Sequence, residues 1–165
     1  MKKLFTFFLF IFYTYQTTAK IPYKDSIALD YTWKTFKIAL ETNDSQTLRR
    51  LSLRNVDCDI FQNQDPRIIQ SSIISINTFI KQFFQHKKKS KLWNVIENKK
   101  YHISVEETDY HPNIYPSKKS ITMYTIWFVT WEPNELQKRS EGISHGFEFV
   151  KVKGEFKFSG LTHIP

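Results

Sequence analysis

Cysteine is nearly missing from this chain: Cys58 stands alone among 165 residues. No internal disulfide can form, so stability has to come from packing even in an oxidising compartment. Asp57 and Asp59 flank Cys58. Their charges oppose a reactive thiolate, which leaves the thiol as a small buried hydrophobe. Glycine is almost as scarce, with four in all. That excludes a phosphate-cradling loop and a dinucleotide fingerprint, and no Gly-x-Ser-x-Gly nucleophile elbow is present. Metal-ligand spacing is also missing. Asp109-Tyr110-His111 offers two ligands in a Pro-bounded loop, where zinc takes three or four from protein; neither a metal nor a cofactor is expected. The Leu4–Tyr15 apolar run is twelve residues, short of the roughly 18 that cross a bilayer. Internal repeats and low-complexity tracts are absent.

What is present begins with that run. Lys2 and Lys3 precede it, and Gln16, Thr17, Thr18 and Ala19 follow it with small residues where a signal peptidase reads. This is the layout of a secretory signal peptide. The sequence therefore predicts a signal peptide at 1–19 and a single α+β domain at 20–165, secreted or periplasmic. After cleavage no stable membrane span remains; an uncleaved anchor is the alternative. The mature chain is long enough to bury a core without staples. Losing Lys2 and Lys3 lowers the formal charge from +8 to +6. A basic exported protein is drawn to anionic surfaces: phospholipid head groups, acidic glycans or an acidic protein. Part of the excess lies in Lys87, Lys88, Lys89 and Lys91, a basic patch in a solvated loop. Nucleic-acid binding would need basic residues interleaved with aromatics on a known module, and none is recognisable.

Lys20 to Lys24 reads as a mobile leader, with Asp25 or Ser26 capping the first helix. Leu29, Trp33, Phe36 and Leu40 form one helical stripe. Asn43-Asp44-Ser45 breaks it and re-caps a short second helix. Asn55 to Pro66 reads as extended, with Val56, Cys58 and Ile60 alternating. Ser75 caps a third helix carrying Ile76, Phe79, Ile80, Phe83 and Phe84; the lysine loop ends it, and Leu92, Trp93 and Ile96 add one more turn. After Asn98 the period becomes two. Tyr101, Ile103 and Val105 mark one strand, Tyr110 to Pro116 is a loop, and Ile121 to Trp131 is apolar on both parities, as a covered central strand is. Ile143 to Val152 and Glu155 to Leu161 form a hairpin around Lys153-Gly154. That turn sets Phe149 opposite Phe158 and Phe147 opposite Gly160, with Glu148 and Lys157 on the charged face. Helices followed by antiparallel strands give an α+β domain, helices on one face of a curved sheet.

Trp33, Phe36, Ala39, Asp44, Leu48 and Leu51 in the helical hairpin, Phe79, Phe83 and Phe84 in the third helix, and Phe147-Glu148-Phe149…Gly154-Glu155-Phe156-Lys157-Phe158 at the end carry a resemblance. Together they resemble the nuclear transport factor 2-like (cystatin-like) superfamily, in the branch of small exported bacterial proteins. The resemblance implies a cone whose curved sheet wraps a helix, often with a pocket at the open end. Enzymatic members place Asp, His and Tyr in that pocket; no such set maps onto this chain, and fold does not carry function with it.

Among individual residues, His145 shares the parity of Phe147 and Phe149 and could serve as a base beside an apolar cavity. Trp131, beside Glu132-Pro133, is the ring placed for exposure, whereas Trp127 is expected to be buried in mid-strand. His145, Trp131 and Phe147 are thus the candidate ligand-binding residues. His163, near the chain end, is expected to be mobile. The function read from these features is an exported, non-enzymatic binding or interaction protein, such as a periplasmic immunity or accessory protein capping an acidic partner. The alternative is a small isomerase- or hydrolase-like enzyme acting on an apolar ligand inside the cone. Two titratable groups converging on a cavity would favour the enzyme; an unbroken Phe/Trp filling would not.

Overall fold

The computed structural model describes residues 21–59, 72–98, 100–109 and 120–165. The expected signal peptide, Ile60 to Pro66, and the Tyr110 to Pro116 loop with His111 lie outside the described residues. Helix α1 spans Tyr23–Thr42 and α2 Ser45–Arg50; strand β1 spans Ser52–Cys58 and β2 Ile73–Ser75. Helices α3 (Ile76–His86) and α4 (Lys91–Asn98) follow, then β3 (His102–Thr108), β4 (Ile121–Trp131), β5 (Ile143–Val152) and β6 (Glu155–Ile164). The described strands form one open mixed sheet in the order β2-β1-β6-β5-β4-β3, with β1 and β6 parallel and every other pair antiparallel. Bulges in the β4–β5 and β5–β6 pairs bend it. The fold is α+β, with helices on one face of a curved sheet.

Helix α1 starts earlier than the expected cap. Pro22 precedes its first turn, and no side chain caps it. Asp25 is drawn to the sheet instead, where its carboxylate accepts from Tyr124 Oη at 3.1 Å and Lys151 Nζ at 2.6 Å. At the other end Asn43 adopts a left-handed conformation, φ 58°, and Asp44 Oδ1 accepts from the amides of Gln46 and Thr47, so this break behaves as its sequence predicts. Ser75 likewise caps α3 through the Thr78 amide.

The apolar stripe of α1 meets the aromatic face of the sheet. Trp33, Phe36, Phe128, Phe147, Phe149 and Phe158 are all buried. Phe36 and Phe158 ring centroids lie 4.8 Å apart, Trp33 and Phe147 5.1 Å, and Trp33 and Phe128 5.7 Å. The cluster continues through Phe79, 5.0 Å from Phe158, to Phe83 and Trp93. Each is a stacked, tilted or edge contact within the range that adds to simple burial.

Lys153 (φ 51°) and Gly154 (φ 89°) both take positive φ, as a two-residue hairpin turn of the I′ type requires. Phe149 pairs with Phe158 as the turn predicts. The expected Phe147–Gly160 pair does not form. The register shifts between Glu148 and Phe149, so Phe147 faces Leu161 and Glu148 faces Gly160. Trp127 is a second correction. It lies half-buried on the opposite face of β4 from Ile126 and Phe128, its indole N–H donating to Ser104 Oγ at 2.9 Å and its ring stacked 6.5 Å from His102.

The lysine segment is not a loop. Lys87–Lys89 form a 3₁₀ turn between α3 and α4. Lys87 Nζ points inward, donating to Leu40 O (2.8 Å), Glu41 O (2.9 Å) and Asn43 Oδ1 (3.2 Å), and lies 4.7 Å from the Trp93 ring centroid. It serves the orphan carbonyls at the α1 C-terminus, where a cation is favoured. Lys87→Met is expected to lower stability by about 1–2 kcal/mol, measured by urea unfolding, while Lys88→Ser changes it by less than about 0.5 kcal/mol. Equal effects of the two would contradict this assignment.

Candidate functional site

Strand β4 ends in a bulge that decides the geometry of the sheet's rim. Val129 pairs with Ser144 and Trp131 with Ile143, leaving Thr130 as the extra residue. Gly142 makes the turn possible: its φ is 94°, and a Cβ there would lie 2.6 Å from Trp131 O. The bulge turns Thr130 inward, where its buried hydroxyl shares a 2.8 Å hydrogen bond with His145 Nδ1. Trp131 and His163 lie on either side of that imidazole, each with a ring centroid 6.0 Å away.

Burial first, and then the electrostatic influence of neighbouring His163, push His145 down to about 4, with Asp59 acting in the other direction. His145 is therefore a neutral imidazole near neutral pH, hydrogen-bonded and enclosed. A base of that strength is a poor proton acceptor at pH 7. Asp59 Oδ1 lies 3.2 Å from His163 Nδ1, so the acid sits beside the other histidine and not beside His145. His163 belongs to β6 and pairs in register with His145, a placement its nearness to the chain end concealed.

Of the three candidate ligand-binding residues, the structure brings His145 and Trp131 together and sets Phe147 apart. Phe147 sits in the middle of the aromatic cluster, against Trp33, Phe36, Phe128 and Phe158. The space beneath the sheet is filled with rings there. The four lysines do not form one basic patch either. Lys87 is turned inward, and Lys91 pairs with Glu135 with its Nζ 5.9 Å from the Trp131 ring centroid. Lys88 and Lys89 are left exposed.

Beside Lys91 a groove of about 420 Å³ opens between α4 and the connection after β4. Asn94, Val95 and Asn98 form one wall, Glu132 and Glu135 the other. Its polar groups are held in place. Asn98 Nδ2 donates to Asn94 O and Oδ1, both at 2.9 Å. Glu135 Oε2 accepts from the Glu132 amide at 2.9 Å while its other oxygen takes Lys91. Sequence reasoning missed this groove because its walls come from two segments more than thirty residues apart, neither carrying a motif. The described residues contain no group of three or more His, Cys, Asp or Glu placed to hold a metal.

Glu148 is a further residue that pattern reading misplaced. It was expected on a wet face, yet burial first, and then Asp57, Asp59 and Glu106, raise its carboxyl to about 7. Gly160 makes room for it: a Cβ at 160 would lie 2.6 Å from Glu148 Oε2 and 2.7 Å from Asp57 O. Asp57 also pairs with Gly160 from β1, so two acids flank one glycine. A glycine inside a strand signals such a close approach, and Gly160 was the clue available in the sequence.

No family model matches the chain, and no curated protein matches it. Solved structures similar to it in shape include the following two. One is a five-substitution variant of the protein named Rd1NTF2_05, at 13% identity and a TM-score of 0.38, covering 86% of this chain and 99% of that one. The other, from Streptomyces avermitilis, is described as a candidate dehydratase from the NTF2-like family, at 15% identity and a TM-score of 0.39, covering 88% and 98%. No residue role or activity is carried over from either.

Proposed function

We propose that this is an exported, non-enzymatic binding protein that takes a small polar ligand in the groove between α4 and the β4–β5 connection. The observation that carries the reading is a contrast. Aromatic rings occupy the space beneath the sheet around Phe147, while the groove presents amide, carboxylate and ammonium groups already fixed by their neighbours. Such convergent polar groups beside an apolar lining residue, here Val95, suit orientation of a small molecule. The exported part of this reading is supported by the first nineteen residues, whose pattern is that of a secretory signal.

Ligand-detected NMR against a panel of saccharides, amino acids and short peptides, with fatty acids and a steroid as apolar members, tests it. Binding is expected among the polar members and is lost in Asn94→Trp, which fills the groove from an exposed helix position. Binding confined to the apolar members and indifferent to Asn94→Trp would return recognition to the interior. One observation favours a second reading, a small isomerase- or hydrolase-like enzyme: a carboxyl near 7, as at Glu148, suits general acid–base work at neutral pH. Turnover of an apolar substrate that disappears in Glu148→Gln would establish that reading in place of the first.

A further inference from the structure

The sheet is open, and its two edges are unlike. At one end β2 is three residues long, too short to template another strand. At the other end β3 runs for seven and pairs with β4 without interruption, from His102–Trp127 to Thr108–Ile121. Among the described residues no strand pairs with its outer edge. Sheets blunt an edge with a short strand, a proline, a bulge or charge. In β3 only charge is present, and its two signs lie at opposite ends. Lys99 and Lys100 stand just before the strand, and Glu106 and Glu107 lie near its end.

We infer that β3 joins two copies of this chain, edge to edge and antiparallel about a two-fold axis, so that their six-stranded sheets become one. Three observations select a second copy as the occupant. The first is charge. A two-fold axis lays the strand against itself reversed, so each dilysine meets the other copy's pair of glutamates. A foreign strand would have to carry the same polarity; a second copy has it by identity. A parallel arrangement would set like against like. The second is register. Facing residues in a continuous sheet point to the same side, so they are both odd-numbered or both even-numbered. With Ile103 opposite its own copy, Lys100 faces Glu106, His102 faces Ser104 and Tyr101 faces Val105. The odd residues form the helix-facing side. The Tyr101 ring lies 5.8 Å from that of Phe128, and Ile103 and Val105 pack against the core while staying half-buried. One register therefore covers the apolar side chains at the edge and joins opposite charges on the other side. The next allowed register, with Ser104 against itself, sets Tyr101 opposite Glu107 and moves Lys100 off Glu106. The third is availability. Lys100 and Glu106 are exposed, and neither makes an ion pair among the described residues. The contact is small beside a standard interface, so association should be weak, with a Kd of about 10–100 µM.

The test does not depend on the α4 groove or its ligand. The protein that accumulates when the full chain is expressed in a secreting host is followed by analytical ultracentrifugation, from well below to well above that concentration range. Wild type is expected to pass from monomer to dimer, less readily at high salt. Lys100→Glu sets carboxylate against carboxylate at both ends of the contact, and Glu106→Lys sets ammonium against ammonium. Each alone should raise the Kd about tenfold or more. Mixed in equal amounts, the two variants again oppose unlike charges at both ends and should form a heterodimer with a Kd near that of wild type. Both positions are exposed, so the melting curves of the single variants should overlay that of wild type. If one does not, Lys100→Gln and Glu106→Gln, which only remove the attraction, take their place and should weaken the dimer less steeply. A wild type that stays monomeric throughout overturns the inference. So does a dimer that tolerates these substitutions, which another surface must then hold together. Charge-reversed variants that remain monomeric when mixed overturn it as well.

Discussion

Glu148→Gln is expected to stabilise the protein by about 2–3 kcal/mol at pH 8 and to leave it nearly unchanged at pH 4. The folded state holds a proton on Glu148 up to about 7, whereas the unfolded chain releases it from about 4.5. Stability is therefore lost as pH rises through that window, and glutamine, which never ionises, removes the loss. His145 acts with the opposite sign. Folding holds it neutral down to about 4 against an ordinary 6.5, so stability is lost as pH falls from 6.5 towards 4. Between 4.5 and 6.5 the two slopes oppose each other. The wild-type profile should therefore be flatter than that of either single variant. In Glu148→Gln the remaining slope falls towards acid; in His145→Asn it falls towards alkali. Urea unfolding at closely spaced pH values from 4 to 8 reads both profiles. A Glu148→Gln profile that merely parallels wild type would show that the carboxyl is not buried beside Asp57 as described.

Trp33→Ala carries the second large effect, a loss of about 3–5 kcal/mol. Trp33 is the residue at which the helix meets two strands of the sheet, β4 and β5, and Tyr101 just before β3. Its ring lies within 6.3 Å, centroid to centroid, of Phe36, Tyr101, Phe128, Phe147 and Phe149, so its removal strips contacts from five rings at once and leaves a void that close-packed neighbours cannot collapse into. Against a total stability of 5–15 kcal/mol that is typical of a domain, the variant should be marginally folded at 37 °C. Tyr31→Ala, on the outward face of the same helix, should shift the urea midpoint by less than about 0.5 kcal/mol equivalent. Similar losses at 31 and 33 would mean that α1 does not present the face described here.

The core was legible in the sequence because its signals are local and repeated. The α1 stripe, the Asp44 and Ser75 caps, the Lys153-Gly154 turn and the double-parity run of β4 each follow from residues close together in the chain. What the sequence concealed depends on contacts between distant segments. Strict alternation from the turn placed Phe147 opposite Gly160; one unpaired residue in β6 moved Gly160 under Glu148 and drew a carboxyl out of water. Lys87 looked like its neighbours Lys88 and Lys89 until the end of α1, more than forty residues earlier, supplied three acceptors for it. Asp25 looked like a helix cap because Lys151 and Tyr124, which claim it, lie some hundred residues away. Of the candidate site, Trp131 and His145 could be named from the sequence as residues near strand ends, but the contact between their rings depends on the bulge at Thr130. The groove at α4 could not be named.

The account turns on the aromatic interior being closed, which displaces recognition to the rim. Benzene titrated into wild type and Phe147→Ala, followed by thermal shift and by tryptophan fluorescence, reads that point most directly, since an apolar void left by a removed ring takes up such a probe. Wild type should show no saturable change, while the variant, less stable by about 3–5 kcal/mol, should regain part of its melting temperature as benzene occupies the space of the lost ring. Saturable uptake by wild type, with a fluorescence response equal to that of the variant, would contradict the account and place a binding cavity beneath the sheet.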